Sequence, residues 1–485
     1  MQPSFGIISK EEKEQIYSSA LQVLSETGIL IKNENALKIL KDGGIEFQPD
    51  SQIGVFSEEI VKECIRKAPN AIKLYDRHGE LALTLEGDNV HYDPGSGAMT
   101  ILDPDGTIRE PITDDLIKFI RLTDNLPYIC AQSTSMVVSD IDERLADRYR
   151  LYLVLKYAKK PVITGAFTTH GVKDMNDMLV AVREAYGENL SKKPFAVFDV
   201  CPSSPLMWSE QTAQNLLDCA HFDIPAEFIS VPLAGATGPA SLAGTLVQHT
   251  AETLSGVVLS QLTKAGSPVI WGGSSTVFDQ REGTTPVGAI ETMMIACACA
   301  SIGKMLGFPT HACIGLSDAK QIDAQSGLET GLGLILATLA GINMVSGPGM
   351  LNFENCQSLE KLVIDNEICG MAKRLVKGIE VNEDSLAVDL FREVGPHGSF
   401  LTVFHTLKWF RRDQFIPSDV IDRKDLQKWR QDGELNIIER AQTRVAQILA
   451  DHVHEPLPEV CDNQLKQIMR GAAERIEVSY LPHDL

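Results

Sequence analysis

The segment Pro309 to Phe353, PTHACIGLSDAKQIDAQSGLETGLGLILATLAGINMVSGPGMLNF, changes element type in a fixed rhythm. A short apolar strand (His311–Gly315) leads into a polar loop (Ser317–Gln325) and a Gly/Ala/Leu-rich helix (Gly327–Ala340). A second strand (Ile342–Ser346) and a Gly-Pro-Gly loop ending at Phe353 complete it. Two strands joined through a helix run parallel, because a tight hairpin can only join antiparallel ones. In such folds the loops after the strands carry the chemistry.

The same rhythm extends over most of the 485 residues. Helix-like segments at Thr113–Leu126, Ile141–Lys159, Val172–Gly187, Ser209–His221, Ser241–Ala265 and Pro286–Leu306 alternate with apolar strands. The strands read at Tyr128–Ser133, Pro161–Thr164, Phe195–Val200, Ala226–Val231, Pro268–Gly272, His311–Gly315 and Ile342–Ser346, with Gly398–Val403 as the eighth. Eight strand signals with intervening helices predict an α/β fold of the (β/α)8 TIM barrel type over residues 113–410. No G-x-G-x-x-G or G-x-x-x-x-G-K-[ST] supports an open nucleotide-binding sheet instead. Residues 1–70 read as a helical segment. Residues 71–112 read as a small antiparallel sheet (IKLYDR, LALTLEG, NVHYDPG, TILDPDG) with a hairpin turn at Asp103-Pro104-Asp105-Gly106. Residues 411–485 return to charged amphipathic helices, expected to pack with the N-terminal ones beside the barrel.

A net charge of −21 and a pI near 5.0 oppose nucleic acid or an anionic membrane as partner. The longest uncharged runs are broken by Pro232, Pro239 and His249 in one and by Asn343, Pro348 and Asn352 in the other, so neither suits a membrane span. The start, MQPSFGIISKEEKEQ, has no apolar core of a signal peptide, and the ten cysteines are scattered through apolar runs as reduced thiols would be. Cys297 and Cys299 point to different faces of one helix, a poor metal pair. The expectation is a cytoplasmic enzyme acting on a small molecule.

The strand ends are rich in Gly, Ala and Ser, with Asp199 and Asp318 as their only carboxylates, and no H-E-x-x-H is present. A mouth short of proton-transfer groups suits neither hydrolysis nor isomerisation. Four aromatics near loop ends, Tyr92, Trp271, Phe353 and Phe404, could instead form a cage for a cation. The competing reading of each is core packing, the usual fate of an aromatic. His311 reads as a core histidine satisfied by a neighbour. His405 either contacts an anion or is an exposed residue at a helix start. Asp318 and Lys320 in SDAK either line the mouth or cap the next helix.

The motifs HYDPGSG, VIWGGSS, GLSDAKQIDAQSGLET, LAGINMVSGPGM, SLEKLVIDNEICGMAKR and HTLKWFRR, in this order, together with the helix PVGAIETMMIACACASIGKMLG, resemble the trimethylamine methyltransferase family of corrinoid-dependent methyltransferases. The resemblance runs from about residue 10 to about residue 450 and implies a (β/α)8 barrel. Archaeal trimethylamine enzymes of the family carry pyrrolysine. This chain has only the standard twenty residues, which matches the branch acting on quaternary amines such as glycine betaine, proline betaine and carnitine. The implied reaction moves a methyl group from a quaternary amine, glycine betaine first, to the Co(I) cobalamin of a separate corrinoid protein, with no permanently bound cofactor and no metal. A quaternary ammonium leaves as a neutral amine, so no acid/base residue is required and positioning dominates. Expected substrate contacts are Trp271, Phe353 and Tyr92 on the ammonium. For a carboxylate the candidates are His405, Arg281 and the backbone around Ser274, Gly347 and Gly349. Asp199, Ser317, Asp318 and Gln325 are further polar candidates. Two other readings stay open: a zinc-dependent corrinoid methyltransferase for another donor, and a non-catalytic betaine-binding barrel. Self-association through the helical additions is a further expectation.

Overall fold

In this computed structural model, which describes residues 3–168, 170–478 and 481, eight strand–helix units follow one another. The strands are β1 (His91–Asp93), β2 (Gln132–Ser133), β3 (Val162–Thr164), β4 (Ala196–Val200), β5 (Ala226–Phe228), β6 (Val269–Ile270), β7 (His311–Cys313) and β8 (Met344–Ser346). Each is followed by a helix: α1 (Thr113–Asn125), α2 (Ala146–Tyr157), α3 (Gly171–Ala185), α4 (Glu210–Phe222), α5 (Leu242–Thr263), α6 (Ile290–Met305), α7 (Ala324–Leu339) and α8 (Leu359–Val376). Strands β2 to β6 form one parallel ladder, and β7, β8 and β1 form another. At one seam Trp271 N donates to Pro309 O at 2.8 Å and His311 N to Trp271 O at 2.9 Å. At the other, Cys130 N donates to Tyr92 O at 2.7 Å. The eight strands thus run round one axis with helices outside, a TIM barrel.

The expected eighth strand at Gly398–Val403 does not form; that segment is turn and bend. The missing strand is His91–Asp93, which pairs parallel to β8 rather than joining an antiparallel sheet. Its register places Tyr92 opposite Val345 and Asp93 opposite Ser346. The remaining strand pairs of residues 71–112 are antiparallel as expected, Ile72–Tyr75 with Leu81–Leu85 and Thr100–Leu102 with Ile108–Arg109.

Side chains on a strand alternate faces, so each barrel strand stacks its inward residues two apart. The lower inward layer is apolar: Ala131, Ile163, Val197, Ile270 and Met344 pack against Ile72, Leu74, Leu83 and Leu85 of the first hairpin. That hairpin closes the end of the barrel at which the strands begin. Buried Arg183 of α3 anchors the neighbouring turn, donating to Asp76 O and Lys193 O, both at 2.8 Å. Two residues farther along the same strands come Asp199, Gly272 and Ser346, so the layer above the plug is polar.

The N-terminal helices Lys10–Gln22, Glu34–Asp42 and Glu58–Lys67 pack on α5. The C-terminal helices do not join them. Ile437–Asp451 packs on α8 and α1, and Glu459–Arg475 packs on α3 and α2. All ten cysteines are free, and among the described residues no helix is long and apolar enough to cross a membrane.

Leu74 is fully buried in the plug. Leu74→Ala should lower unfolding stability by about 2–5 kcal/mol, read as an earlier denaturant midpoint. An unchanged midpoint would show that the hairpin does not seal the barrel.

Candidate active site

A cavity of about 440 Å³ opens at the end of the barrel where the strands finish. Its polar wall is built by neighbouring strands. Asp93 comes from β1, Asp199 from β4, Glu227 from β5, His311 and Cys313 from β7, Ser346 from β8, and Glu354 from the loop after β8. Ile163, Phe167, Val200, Ile229, Val231 and Met350 supply apolar wall, while Gln211, Thr212 and Asn215 of α4 face it from one side. The expectation of a mouth short of acid–base groups is therefore wrong. Asp93 and Glu227 join Asp199 on inward strand positions one layer below the loops, and Glu354 adds a carboxyl from the loop after β8.

The groups connect in a line across the barrel. Ser346 Oγ donates to Asp93, 2.8 and 3.0 Å from its two oxygens, and His311 Nε2 lies 3.0 Å from Ser346 Oγ. The same nitrogen lies 3.4 Å from Glu227 Oε1. His311 is on β7 and Glu227 on β5, so this contact crosses β6. It is possible because β6 continues into Gly272: a Cβ there would stand 2.8 Å from His311 Nδ1 and 2.6 Å from Phe228 O. Beyond Glu227 lies Asp199, the next carboxyl round the barrel.

Glu227 is fully buried, and among the described residues no donor outside the pair completes a hydrogen bond to either of its oxygens or to Asp199 Oδ1; the two carboxyls hydrogen-bond to each other through a shared proton. Burial raises the Glu227 carboxyl well above the usual range, and the charges of Asp199 and Asp93 push it the same way. Burial lifts Asp199 to about 7, opposed by a hydrogen bond from Glu227 and by the Arg150 guanidinium. Asp93 is also raised well above its ordinary value by burial, against the Ser346 hydrogen bond. Burial drops His311 to about 3, so the imidazole is neutral. Around pH 7 the wall thus stores protons that a cation could displace.

Glu354 reaches the cavity through a strained turn. Asn352, Phe353 and Glu354 have φ of 51°, 58° and 65°, three consecutive left-handed residues. Such a conformation costs on the order of 1 kcal/mol or more at each non-glycine position and persists where its surroundings hold it. It sets Glu354 Oε1 3.4 Å from Ser274 Oγ, and burial lifts this carboxyl to about 7. Arg150 lies buried behind the wall, 5.0 Å from the Phe167 ring, donating to Thr134 O at 2.8 Å while its Nη2 has no partner.

Of the residues singled out from sequence, Asp199, Ser274 and Gly347 line the cavity. Trp271 and Tyr92 do not: both are fully buried and point outward into the helix layer. Trp271 Nε1 donates to Cys299 O on α6 at 3.0 Å and its ring stacks on Phe308, while Tyr92 Oη meets Thr338 Oγ1 of α7 at 2.6 Å. Strand alternation, invisible until the register is fixed, turns both away from the axis. Gly349 N donates to Asp365 Oδ2 at 2.7 Å and serves to anchor α8.

Arg281, Asp318, Gln325 and Phe353 line a separate depression outside the cavity. Arg281 is 86% exposed and paired with Asp279. The Phe353 ring is covered by Lys320 Nζ, 4.0 Å from its centroid. Asp318 accepts from Val287 N and Gly288 N rather than capping α7, whose cap is Asp323. Ser317 and Gln325 both donate to Glu329. His405 lies beyond the far end of α8, with Nε2 3.0 Å from Asp384 O, and Phe404 beside it is 78% exposed. Neither His405 nor Phe404 lines the cavity. Glu227, Asp93, Glu354 and Phe167 were missed. The signal for Glu227 was an acid within the apolar run AEFISV; Asp93 sits within the motif HYDPGSG, whose strand is recognisable only from its pairing with β8. Among the described residues, no group of three His, Cys, Asp or Glu side chains is placed to hold a metal ion.

The family model for trimethylamine methyltransferase (MTTB) matches residues 1–475, and the chain belongs to that family. It is 31% identical over 480 residues to trimethylamine methyltransferase MttB of Desulfitobacterium hafniense, covering 98% of this chain and 95% of that one. It is 30% identical over 476 residues to glycine betaine methyltransferase of the same species, covering 98% of each. The monomethylamine methyltransferase (MtmB) of Methanosarcina barkeri shares the fold with a TM-score of 0.53 at 13% identity, over 98% of this chain and 90% of that one.

Trp271→Ala should cost about 3–5 kcal/mol of stability and Phe353→Ala less than about 1; equal losses in denaturant unfolding would contradict these placements. Glu354 ionises near its ordinary value unfolded and about 7 folded. The unfolded chain therefore binds fewer protons between those values, and stability falls as pH rises through that window, levelling above about 7. Glu354→Gln should flatten that decline and raise the thermal midpoint at pH 8 by about 2–4 °C, with no gain at pH 4.

Proposed function

We propose that this member of the trimethylamine methyltransferase family takes a methyl group from a quaternary ammonium compound, glycine betaine first among them, and passes it to the Co(I) corrinoid of a separate protein. The observation that carries the reading is Glu227: a fully buried carboxyl on the cavity wall that shares a hydrogen bond only with another acid, Asp199, and that meets no Lys or Arg among the described residues. A buried acid without a positive partner is costly as an anion and inexpensive beside a cation. A quaternary ammonium brings a positive charge with no N–H to satisfy, so it needs charge and close apolar walls rather than hydrogen-bond acceptors aimed at it.

The cavity has the size of a small amine and not of a corrin, so the acceptor remains on its own protein and meets the methyl group at the opening. The reduced corrinoid supplies the nucleophile, and the chain's residues do the rest. Glu227, Asp199 and Glu354 hold the cation from below. Phe167, Ile229 and Met350 exclude water and keep one methyl pointed outward. Cleavage of the C–N bond leaves a neutral tertiary amine, so no side chain must protonate the leaving group as the bond breaks. The carboxylate of a betaine turns away from the acids, toward Gln211 and Thr212 in the first turn of α4, rather than toward Arg281 or His405, which lie elsewhere.

The test is conversion of Co(I) to methyl-Co(III) on a corrinoid protein, followed spectrophotometrically with glycine betaine, carnitine, choline and trimethylamine. A quaternary amine should react at least about tenfold faster than trimethylamine. Activity confined to trimethylamine, or binding without any methylation of cobalt, would discard the reading.

A further inference from the structure

The line of side chains across the cavity does more than supply negative charge. Glu227 and Asp199 are the two members whose oxygens lack donors outside the pair, and they lie opposite each other on adjacent strands, so one cation can lie against both in place of the proton they share. On the far side of Glu227 the neutral imidazole of His311 is held by Ser346 and Asp93, and Gly272 leaves the space it reaches through. We propose that Glu227 and Asp199 form a proton-exchanging seat: as the substrate ammonium enters, the pair releases a proton to solvent, and it takes one up again once methyl loss has made the bound amine neutral. This rests on the functional reading above and specifies how the site holds its substrate.

The balance is simple. Before binding, the pair and its protons are close to neutral; a tetraalkylammonium cation replaces one proton and the site's charge is unchanged. Methyl transfer moves the C–N bonding pair onto nitrogen and the methyl group onto cobalt, so the positive charge leaves the site. The pair then faces a neutral tertiary amine and regains its proton from solvent, so the amine departs as the neutral base and the pair returns to its starting protonation. His311 acts as a positioning residue, fixing Glu227 from behind.

The other ionisable groups facing the pair define the pH response. Asp93 on β1 has its proton partner in Ser346, and Cys313 on β7 and Cys201 after β4 are thiols that burial keeps protonated. Glu354 approaches from the loop after β8, and among the described residues Arg150 of α2 is the permanent cation acting on Asp199. Strands β2, β3 and β6 bring no ionisable side chain. Because the cation selects the ionised form of the pair, affinity should strengthen as pH rises and level off near 7, where Asp199 titrates.

The experiment is calorimetric titration of the full chain with glycine betaine and with tetramethylammonium chloride at pH 6, in buffers of different ionisation enthalpy. The slope of heat against buffer enthalpy should report release of about 0.7–1 proton per cation bound. Binding should tighten about five- to tenfold from pH 6 to pH 8. Glu227→Gln and Asp199→Asn, each checked for a single cooperative thermal transition, should weaken tetramethylammonium by at least about tenfold and abolish the proton release. A His311→Gln chain should keep the proton release and lose affinity. If quaternary amines bind and methylate the corrinoid but no proton is released, or if Glu227→Gln retains the full pH dependence, the seat is refuted while the methyltransferase reading stands. If none of the quaternary amines binds, both fall together.

Discussion

A fully buried carboxyl whose hydrogen bond is to a second acid is the constraint on which the site depends. As an isolated anion Glu227 would cost several kcal/mol, so it exists either as an acid or with a positive charge beside it. Its surroundings keep both states reachable. Asp199 raises the cost of ionising it, His311 comes within 3.4 Å without making a good hydrogen bond, and Arg150 supplies a fixed charge one neighbour away. The apolar plug beneath removes water that would otherwise solvate the carboxylate.

The scaffold contributes geometry that side chains alone could not. Gly272 removes a side chain from β6 so that β7 can reach β5. The left-handed run at Asn352–Glu354 bends the loop after β8 back over the opening and adds a further carboxyl. Strain of this kind is tolerated where surrounding contacts over-determine the backbone, and it concentrates at sites that bind or react. Gly347, with φ of 130° and room for no Cβ beside Gly315, lets two loops cross at the same rim.

Much of the fold was legible in the sequence because it depends on element order. Parallel strands covered on both faces read as apolar runs, and seven of the eight fell where those runs predicted. The eighth did not: His91–Asp93 lies among hairpin strands and is recruited to the barrel by tertiary pairing with β8. The site was less legible, since it depends on which face of a strand points inward. Trp271 and Tyr92 looked like cage residues because glycines follow them, yet alternation turns them into the helix layer. Glu227 and Asp93 looked like parts of ordinary strands and point to the axis. An acid within an apolar strand run was the informative signal, and the strand-end survey did not weigh it.

The hairpin at Ile72–Leu85 has one more effect. By stopping one end of the barrel it leaves a single doorway, shared by whatever small molecule enters and whatever large partner must reach it. A macromolecule seated on that rim would act as a cork. The small molecule therefore has to arrive first and its remnant leave last, so the fold imposes a compulsory sequence of arrivals before any chemistry begins.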